Sequence, residues 1–85
     1  MKNKVFVKII VPEIDKSYDV YLPVNKKIGN IIILLNQSIS EMTDGELELS
    51  KENELYNRLT KERYLPNTLL INTNIRNGSE LVLIS

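Results

Sequence analysis

Near the start of the chain, two segments, residues 5–11 and 18–22, place apolar side chains at every second position. Two sets of apolar side chains recur at every second residue: Val5, Val7, Ile9 and Val11, then Tyr18, Val20 and Leu22. This alternation, rich in β-branched residues, predicts two β-strands that each bury one face. Between them, residues 12–16 (PEIDK) carry the proline and aspartate typical of turns, and Pro23 ends the second strand. The pattern therefore predicts an antiparallel hairpin.

A helical period replaces the alternation after Pro23. The apolar residues at this spacing are Ile28, Ile31, Ile32, Leu35 and Ile39. They form one stripe and predict an amphipathic helix that ends within residues 38–45. Asn25 is its predicted N-cap. Gly29 and the run of isoleucines lower the intrinsic helix propensity, so packing must stabilise the helix.

Two apolar residues of this segment, Ile33 and Leu34, lie outside the stripe. We expect them to pack into the core beneath the loops, and a second contact surface is the alternative. Lys26 and Lys27 precede the stripe and are predicted to be solvated.

The second half of the chain has weaker patterns. Residues 41–54 are acidic and mixed, which predicts an extended loop or a short strand. We predict a strand at residues 55–59 and a short strand at 64–65. A turn or helical segment at 69–75 and a turn at 76–79 then lead to a final strand at 80–84.

The order ββαβ(β)β with one helix is an α+β pattern. The helix has a single apolar stripe, so the economical packing is one helix across one face of a mixed four- to five-stranded sheet. The first and last strands are then central and parallel, joined by a long crossover, which is the β-grasp arrangement. A length of 85 residues predicts one domain, residues 1–85.

The amino-acid composition excludes several classes of function. Eleven basic and eleven acidic side chains cancel, so no positive field attracts nucleic acid or an anionic membrane. The chain has no histidine and no cysteine, which removes the commonest metal ligands and the usual proton shuttle. The longest apolar run, residues 31–35, is far shorter than the roughly 20 residues of a membrane span. We expect a cytoplasmic protein without cofactor, nucleic-acid partner or direct membrane insertion.

The carboxylates are the remaining candidates for catalysis. They cluster in one polar segment: Asp44, Glu46, Glu48, Glu52 and Glu54. A solvated acidic loop is the favoured interpretation. A weak cation site is the alternative, although the segment lacks the EF-hand pattern. No Gly-rich phosphate loop is present either. We therefore expect a protein that is not an enzyme.

Several segments resemble ubiquitin-like proteins. They include the opening strand Val5–Lys8, the Leu22–Ile28 spacing into the helix, and Leu70, Ile75 and Gly78 before the last strand. A closer similarity, over nearly the whole chain, is to the YukD/EsaB family of type VII secretion accessory proteins. The segments that carry it are Tyr21–Val24, Lys26–Lys27, Asn36–Ile39, Leu59–Glu62 and Asn74–Gly78. This resemblance implies a small cytoplasmic protein that docks on the secretion machinery.

The C-terminal sequence bears on a different ubiquitin-like role. Modifier and sulfur-carrier proteins present a flexible tail ending in Gly-Gly, whereas here Leu83, Ile84 and Ser85 follow directly on the last predicted strand. A carrier or modifier function is therefore the disfavoured alternative.

The predicted strands leave apolar residues on the face away from the helix. If the odd-numbered residues of the first strand face inward, Phe6 and Ile10 face outward, and Val82 and Ile84 do so on the last strand. Because these strands are neighbours in the β-grasp arrangement, we expect one apolar patch of these four residues, bordered by Tyr56. An exposed patch of this kind usually marks a protein-binding site.

The patch also allows three alternatives to a partner site. The acidic segment 41–54 could fold over it, or its apolar residues could reflect strand propensity alone. It could also be a homodimer interface of a structural subunit. We expect a monomer or a weak homodimer.

Overall fold

The computed structural model describes residues 3–43 and 53–84. Within them the strands and the helix are β1 (Lys4–Val11), β2 (Lys16–Pro23), α1 (Ile28–Met42), β3 (Glu54–Asn57) and β4 (Glu80–Ile84). Short 3₁₀ turns at Pro12–Ile14 and Leu70–Asn72 join some of them. The order ββαββ confirms the predicted sequence of elements.

The four strands form one mixed sheet in the order β2-β1-β4-β3. Strand β1 pairs antiparallel with β2 over its full length, from Lys4 opposite Pro23 to Val11 opposite Lys16. It pairs in parallel with β4 on its other side. The central parallel pair and the α+β class are thus confirmed. The predicted fifth, short strand is reduced to a single β-bridge between Tyr56 and Arg63. The described sheet therefore has four strands.

The core lies between α1 and one face of this sheet. The predicted inward residues are buried on both sides, including the whole helical stripe, and central members such as Ile9, Ile28 and Leu81 have no exposed surface. Tyr18 and Val20 on the edge strand β2 are half-buried against this core. Burial of each such side chain stabilises the fold by about 1.5–3 kcal/mol. The apolar face of each strand therefore packs against α1, and the other face of the sheet is left open.

The beginning of α1 differs from the prediction. Asn25 is not the N-cap: the helix begins at Ile28 after Lys27, which makes no side-chain capping hydrogen bond. Backbone carbonyls from a distant loop accept hydrogen bonds from the first helical N–H groups instead. The Ile28 N–H donates to the Thr68 carbonyl, and the Gly29 N–H donates to the Pro66 carbonyl, both at 2.9 Å. A tertiary contact therefore replaces the capping side chain.

The far side of α1 corrects a second expectation. Ile33 is 55% exposed and Leu34 is 48% exposed, so neither belongs to the core. The helix rests on the sheet through one face only, and these residues lie on its opposite side. The predicted solvation of Lys26 and Lys27 is confirmed, since both are exposed.

The acidic segment is only partly described. Residues 41 and 42 belong to α1 and Glu54 begins β3, whereas residues 44–52, with Asp44, Glu46, Glu48 and Glu52, lie outside the described residues. The predicted loop and the alternative cation site fall there.

The turn before β4 requires a glycine. Gly78 has φ +90°, and its N–H donates to the carbonyl of Phe6 at 2.8 Å. We predict that Gly78→Ala lowers the free energy of unfolding by about 1–2 kcal/mol because an L side chain strains this conformation. Urea unfolding measures the loss. Gly78→Asn is the control, with a smaller loss, since Asn tolerates positive φ better. An alanine variant as stable as the wild type would refute the argument.

Candidate protein-interaction surface

The side of the sheet away from α1 is covered by no described element, and we call it the open face. Strand alternation places there the residues that do not enter the core. They are Lys4, Phe6, Lys8 and Ile10 of β1, Ser17, Asp19 and Tyr21 of β2, Glu54 and Tyr56 of β3, and Glu80, Val82 and Ile84 of β4.

Three of the predicted site residues lie side by side on the open face. Val82 is the register partner of Ile10 on one side and of Tyr56 on the other. All three are partly exposed, and Ile84, the next outward residue of β4, is 44% exposed. We call these four residues the apolar row. A shallow depression of about 290 Å³ lies along it, lined by Tyr56, Val82, Ile84 and the neighbouring Lys61.

Phe6 is not part of this row, so the expected single patch is wrong. Phe6 lies opposite Tyr21 of β2, and the two ring centroids are 4.9 Å apart at 51°. Lys8 is the outward residue between Phe6 and Ile10, and it is exposed. The parallel register sets Val82 beside Ile10, so β4 adds no apolar residue next to Phe6.

The aromatic pair of Phe6 and Tyr21 is therefore a second, separate apolar area. Their side chains are 42% and 60% exposed. Tyr21 was absent from the predicted site, although the hairpin register that pairs it with Phe6 follows from the turn at residues 12–16. Edge-to-face or tilted rings at this distance stabilise each other by about 0.5–1.5 kcal/mol.

A line of charged side chains, which we call the charged row, separates the two apolar areas. Lys8 is the register partner of Asp19 on β2 and of Glu80 on β4. Arg58, just after β3, donates its backbone N–H to the Glu80 carbonyl at 3.0 Å, and its Nη1 lies 3.1 Å from Glu80 Oε1. The Arg58 and Glu80 side chains are about half exposed, so this ion pair contributes at most about 1 kcal/mol to stability.

Tyr56 is held at the end of the apolar row by its hydroxyl group. The hydroxyl donates to Glu54 Oε2 at 2.6 Å, and Arg63 Nη1 lies 3.4 Å from Glu54 Oε1. The hydrogen bond to Glu54 raises the pKa of Tyr56 above its ordinary value, and burial adds to this. The hydroxyl therefore links Tyr56 to Glu54 on the same strand.

A larger depression, of about 470 Å³, lies away from the open face. It runs between the first turns of α1 and the loop at Pro66, and it is lined by Asn30, Ile33, Asn53 and Asn67 among others. Asn53 is buried and donates from Nδ2 to Asn36 Oδ1, while its own Oδ1 has no hydrogen-bond partner among the described residues. Ile32 and Pro66 also line this depression, so its wall combines apolar and amide side chains.

Two features are absent from the described residues. Over residues 3–43 and 53–84, no three carboxylates come close enough to hold a metal ion. In the same part of the chain, no helix has the length and apolar character needed to cross a membrane.

Comparison with known proteins places the fold. No family model and no curated protein matches the sequence. Among solved structures, the chain is similar to the ubiquitin-like domain of the Mycobacterium tuberculosis type VII secretion protein EccD1, with TM-score 0.72, 16% identity and coverage of 96% of this chain and 98% of that one.

Two further solved structures are also similar to this chain. The ubiquitin of Caldiarchaeum subterraneum gives TM-score 0.66 at 14% identity, over 96% of this chain and 92% of that one. A chain of the ESX-5 inner membrane complex gives TM-score 0.69 at 16% identity, over 95% of this chain but 20% of its own. The order, register and helix placement, together with these similarities, show that this chain has the ubiquitin-like β-grasp fold.

Proposed function

We propose that this chain is a non-catalytic protein-interaction module that docks reversibly on a partner protein through the apolar row. The observation that carries the proposal is a continuous set of partly exposed apolar residues, Ile10, Val82, Tyr56 and Ile84, on a sheet face that no described element covers. Apolar residues ringed by charges are typical of the centre and rim of protein interfaces.

The geometry of the apolar row favours docking of a rigid surface. Ile10 and Val82 belong to the two central strands, whose opposite faces are anchored in the core by Ile9 and Leu81. A partner therefore meets side chains whose backbone is already ordered, which lowers the entropy cost of binding. The aromatic pair is placed to widen the interface beyond the charged row.

The proposed setting is a type VII secretion system, with the chain acting in the cytoplasm as one accessory domain. The YukD/EsaB-like segments of the sequence support this setting. The likeness in fold to the EccD1 ubiquitin-like domain and to a chain of the ESX-5 inner membrane complex is consistent with it. The proposed partners are cytoplasmic domains of the secretion machinery.

Substitutions on the open face test the docking role. Immobilised wild type should retain purified cytoplasmic domains of a type VII secretion ATPase from the same organism. We predict that Val82→Asp and Ile84→Asp each reduce this binding at least about tenfold, because a buried unpaired carboxylate is costly in an interface centre. Surface plasmon resonance measures the affinity, and circular dichroism checks that each variant is folded.

The matched control is Ile33→Asp, which makes the same kind of change at an exposed apolar position on the other side of the molecule. It should bind as the wild type does. Phe6→Ala shows whether the aromatic pair takes part. Wild-type affinity in both folded aspartate variants of the apolar row would refute the docking role.

A further inference from the structure

The charged row alternates in sign across the entire sheet. In strand order it carries Asp19 on β2, Lys8 on β1, Glu80 on β4 and Arg58 beside β3, that is, minus, plus, minus, plus. The outer strands carry one acid and one base, and so do the inner strands. Read in the opposite direction, the row has the opposite sign at every position, so two copies of it in opposite directions are complementary in charge.

Two copies of a sheet can pack face to face about a twofold axis that lies in the interface. An axis parallel to the strands exchanges left and right across the sheet, so β2 of one copy faces β3 of the other and β1 faces β4. Asp19 then lies over Arg58 of the second copy, and Lys8 lies over Glu80 of the second copy. Every charge of the row meets its opposite.

The other in-plane axis, perpendicular to the strands, gives the reverse result. It leaves each strand facing itself, so an axis through the charged row would set Asp19 over Asp19 and Lys8 over Lys8 of the second copy. Like charges directly opposed are unfavourable. The charged row therefore favours the axis parallel to the strands over a perpendicular axis that passes through it.

The same axis also brings two residues of the apolar row together. Ile10 and Val82 are neighbours on the two inner strands, so the axis parallel to the strands sets Ile10 of one copy over Val82 of the other, and the reverse. Glu54 and Arg63 on the outer side already pair with each other at 3.4 Å. The apolar contact supplies the burial, and the charged row fixes the orientation.

We propose that the open face pairs with a second copy of this chain about a twofold axis parallel to the strands, with Asp19 facing Arg58 and Lys8 facing Glu80 between copies. The inference rests on the proposed function, because it names a second occupant of the same docking surface. A partner protein that binds the apolar row displaces the second copy, so self-pairing competes with partner binding where the chain is locally concentrated.

The size of the open face sets the strength of this pairing. Strands about 4.8 Å apart make a sheet of four strands about 19 Å wide, and β4 extends about 17 Å along it. A face of roughly 300–400 Å² per copy is about half that of a standard stable interface. The dimer is accordingly weak, with a dissociation constant of about 0.1–1 mM.

Sedimentation equilibrium on the full chain at low salt tests the pairing. From about 10 μM to about 2 mM, the weight-average mass of the wild type should rise toward that of a dimer. In a dimer of Asp19→Arg, the new arginine faces Arg58 of the second copy. In a dimer of Arg58→Asp, the new aspartate faces Asp19 of the second copy. Each variant alone should therefore stay monomeric. In an equimolar mixture both intercopy contacts are attractive again, and association should return.

Lys26→Glu is the control, since it reverses an exposed charge away from the open face, and it should associate as the wild type does. A wild type that is monomeric at the highest concentration overturns the proposal. So does a mixture that associates no better than its components. The double variant Asp19→Arg/Arg58→Asp regains both intercopy attractions only about the axis parallel to the strands, so a double variant that stays monomeric overturns the proposal as well.

The same variants separate this inference from the docking role. If the wild type stays monomeric while Val82→Asp still loses the secretion partner, the self-pairing fails and the docking role stands. If the wild type dimerises as described but partner binding ignores Val82→Asp and Ile84→Asp, the docking role fails and the self-pairing stands.

Discussion

Replacement of Ile31 by alanine is expected to lower the free energy of unfolding by about 2–5 kcal/mol. Ile31 has no exposed surface and lies on the face of α1 that packs on the sheet. Its removal leaves a cavity between the helix and the strands, which the surrounding close-packed side chains fill only in part. Urea unfolding monitored by circular dichroism measures the change.

The same chain supplies the control two residues along the helix. Ile33→Ala makes the identical chemical change at a side chain that is 55% exposed. We expect it to alter stability by no more than about 0.5 kcal/mol, and the higher helix propensity of alanine acts in its favour. Equal losses in the two variants would show that Ile33 is packed in solution and that the helix is rotated from its described position.

Replacement of Tyr64 by phenylalanine is expected to lower the free energy of unfolding by about 1–3 kcal/mol. Tyr64 is only 4% exposed, and its hydroxyl joins two segments of the fold. It accepts a hydrogen bond from Asn57 Nδ2 at 3.0 Å and donates one to Asn74 Oδ1 at 2.6 Å. The phenylalanine keeps the ring packing but leaves the Asn57 amide without this partner.

Tyr21→Phe is the matched control, because the Tyr21 ring is 60% exposed and its hydroxyl is accessible to water. It should change stability by less than about 0.5 kcal/mol. A Tyr64→Phe variant as stable as Tyr21→Phe would show that the hydroxyl contributes nothing to the link between Asn57 and Asn74.

The Tyr64 hydroxyl also predicts a dependence on pH. Burial raises the pKa of Tyr64 above its ordinary value of 10.0. Because the folded state then holds this proton more tightly than the unfolded state, the wild type is fully stabilised below pH 10 and loses stability as the pH rises through the folded pKa. Tyr64→Phe should lose less between neutral and alkaline pH. Parallel urea titrations of the two proteins measure the difference.

Docking and self-pairing are linked by mass action on one surface. A weak dimer of about 0.1–1 mM is mostly dissociated at micromolar concentrations, so it reduces partner affinity only where the chain is locally concentrated. The charged row has a role in both states, since it orients the second copy and forms part of the polar rim around a partner.

Much of the fold could be predicted from the sequence because its signals are local. The alternation of Val5 to Val11 and the helical stripe from Ile28 to Ile39 reflect backbone geometry that each segment imposes by itself. Burial followed these patterns at each of those positions. The open face followed as well, because a side chain that cannot enter the core must lie on the opposite side of the strand.

The arrangement of the open face could be predicted only in part. Each strand alone indicates which residues point outward, yet contiguity depends on the register between strands far apart in sequence. The pairing of Ile10 with Val82 joined the apolar row, and it left Phe6 beyond Lys8 with Tyr21 as its neighbour. The sequence carries no local signal for the register between β1 and β4.

The helix shows the same division. Its existence and buried face were determined by the sequence alone, since the spacing of its isoleucines fits one period only. Its first residue and the exposure of Ile33 and Leu34 were decided by the tertiary structure. The loop at Pro66–Thr68 caps the helix from outside, and the sheet offers a single surface to pack on. Local periodicity thus determines what each element buries, and only long-range contacts decide where it ends and which exposed residues become neighbours.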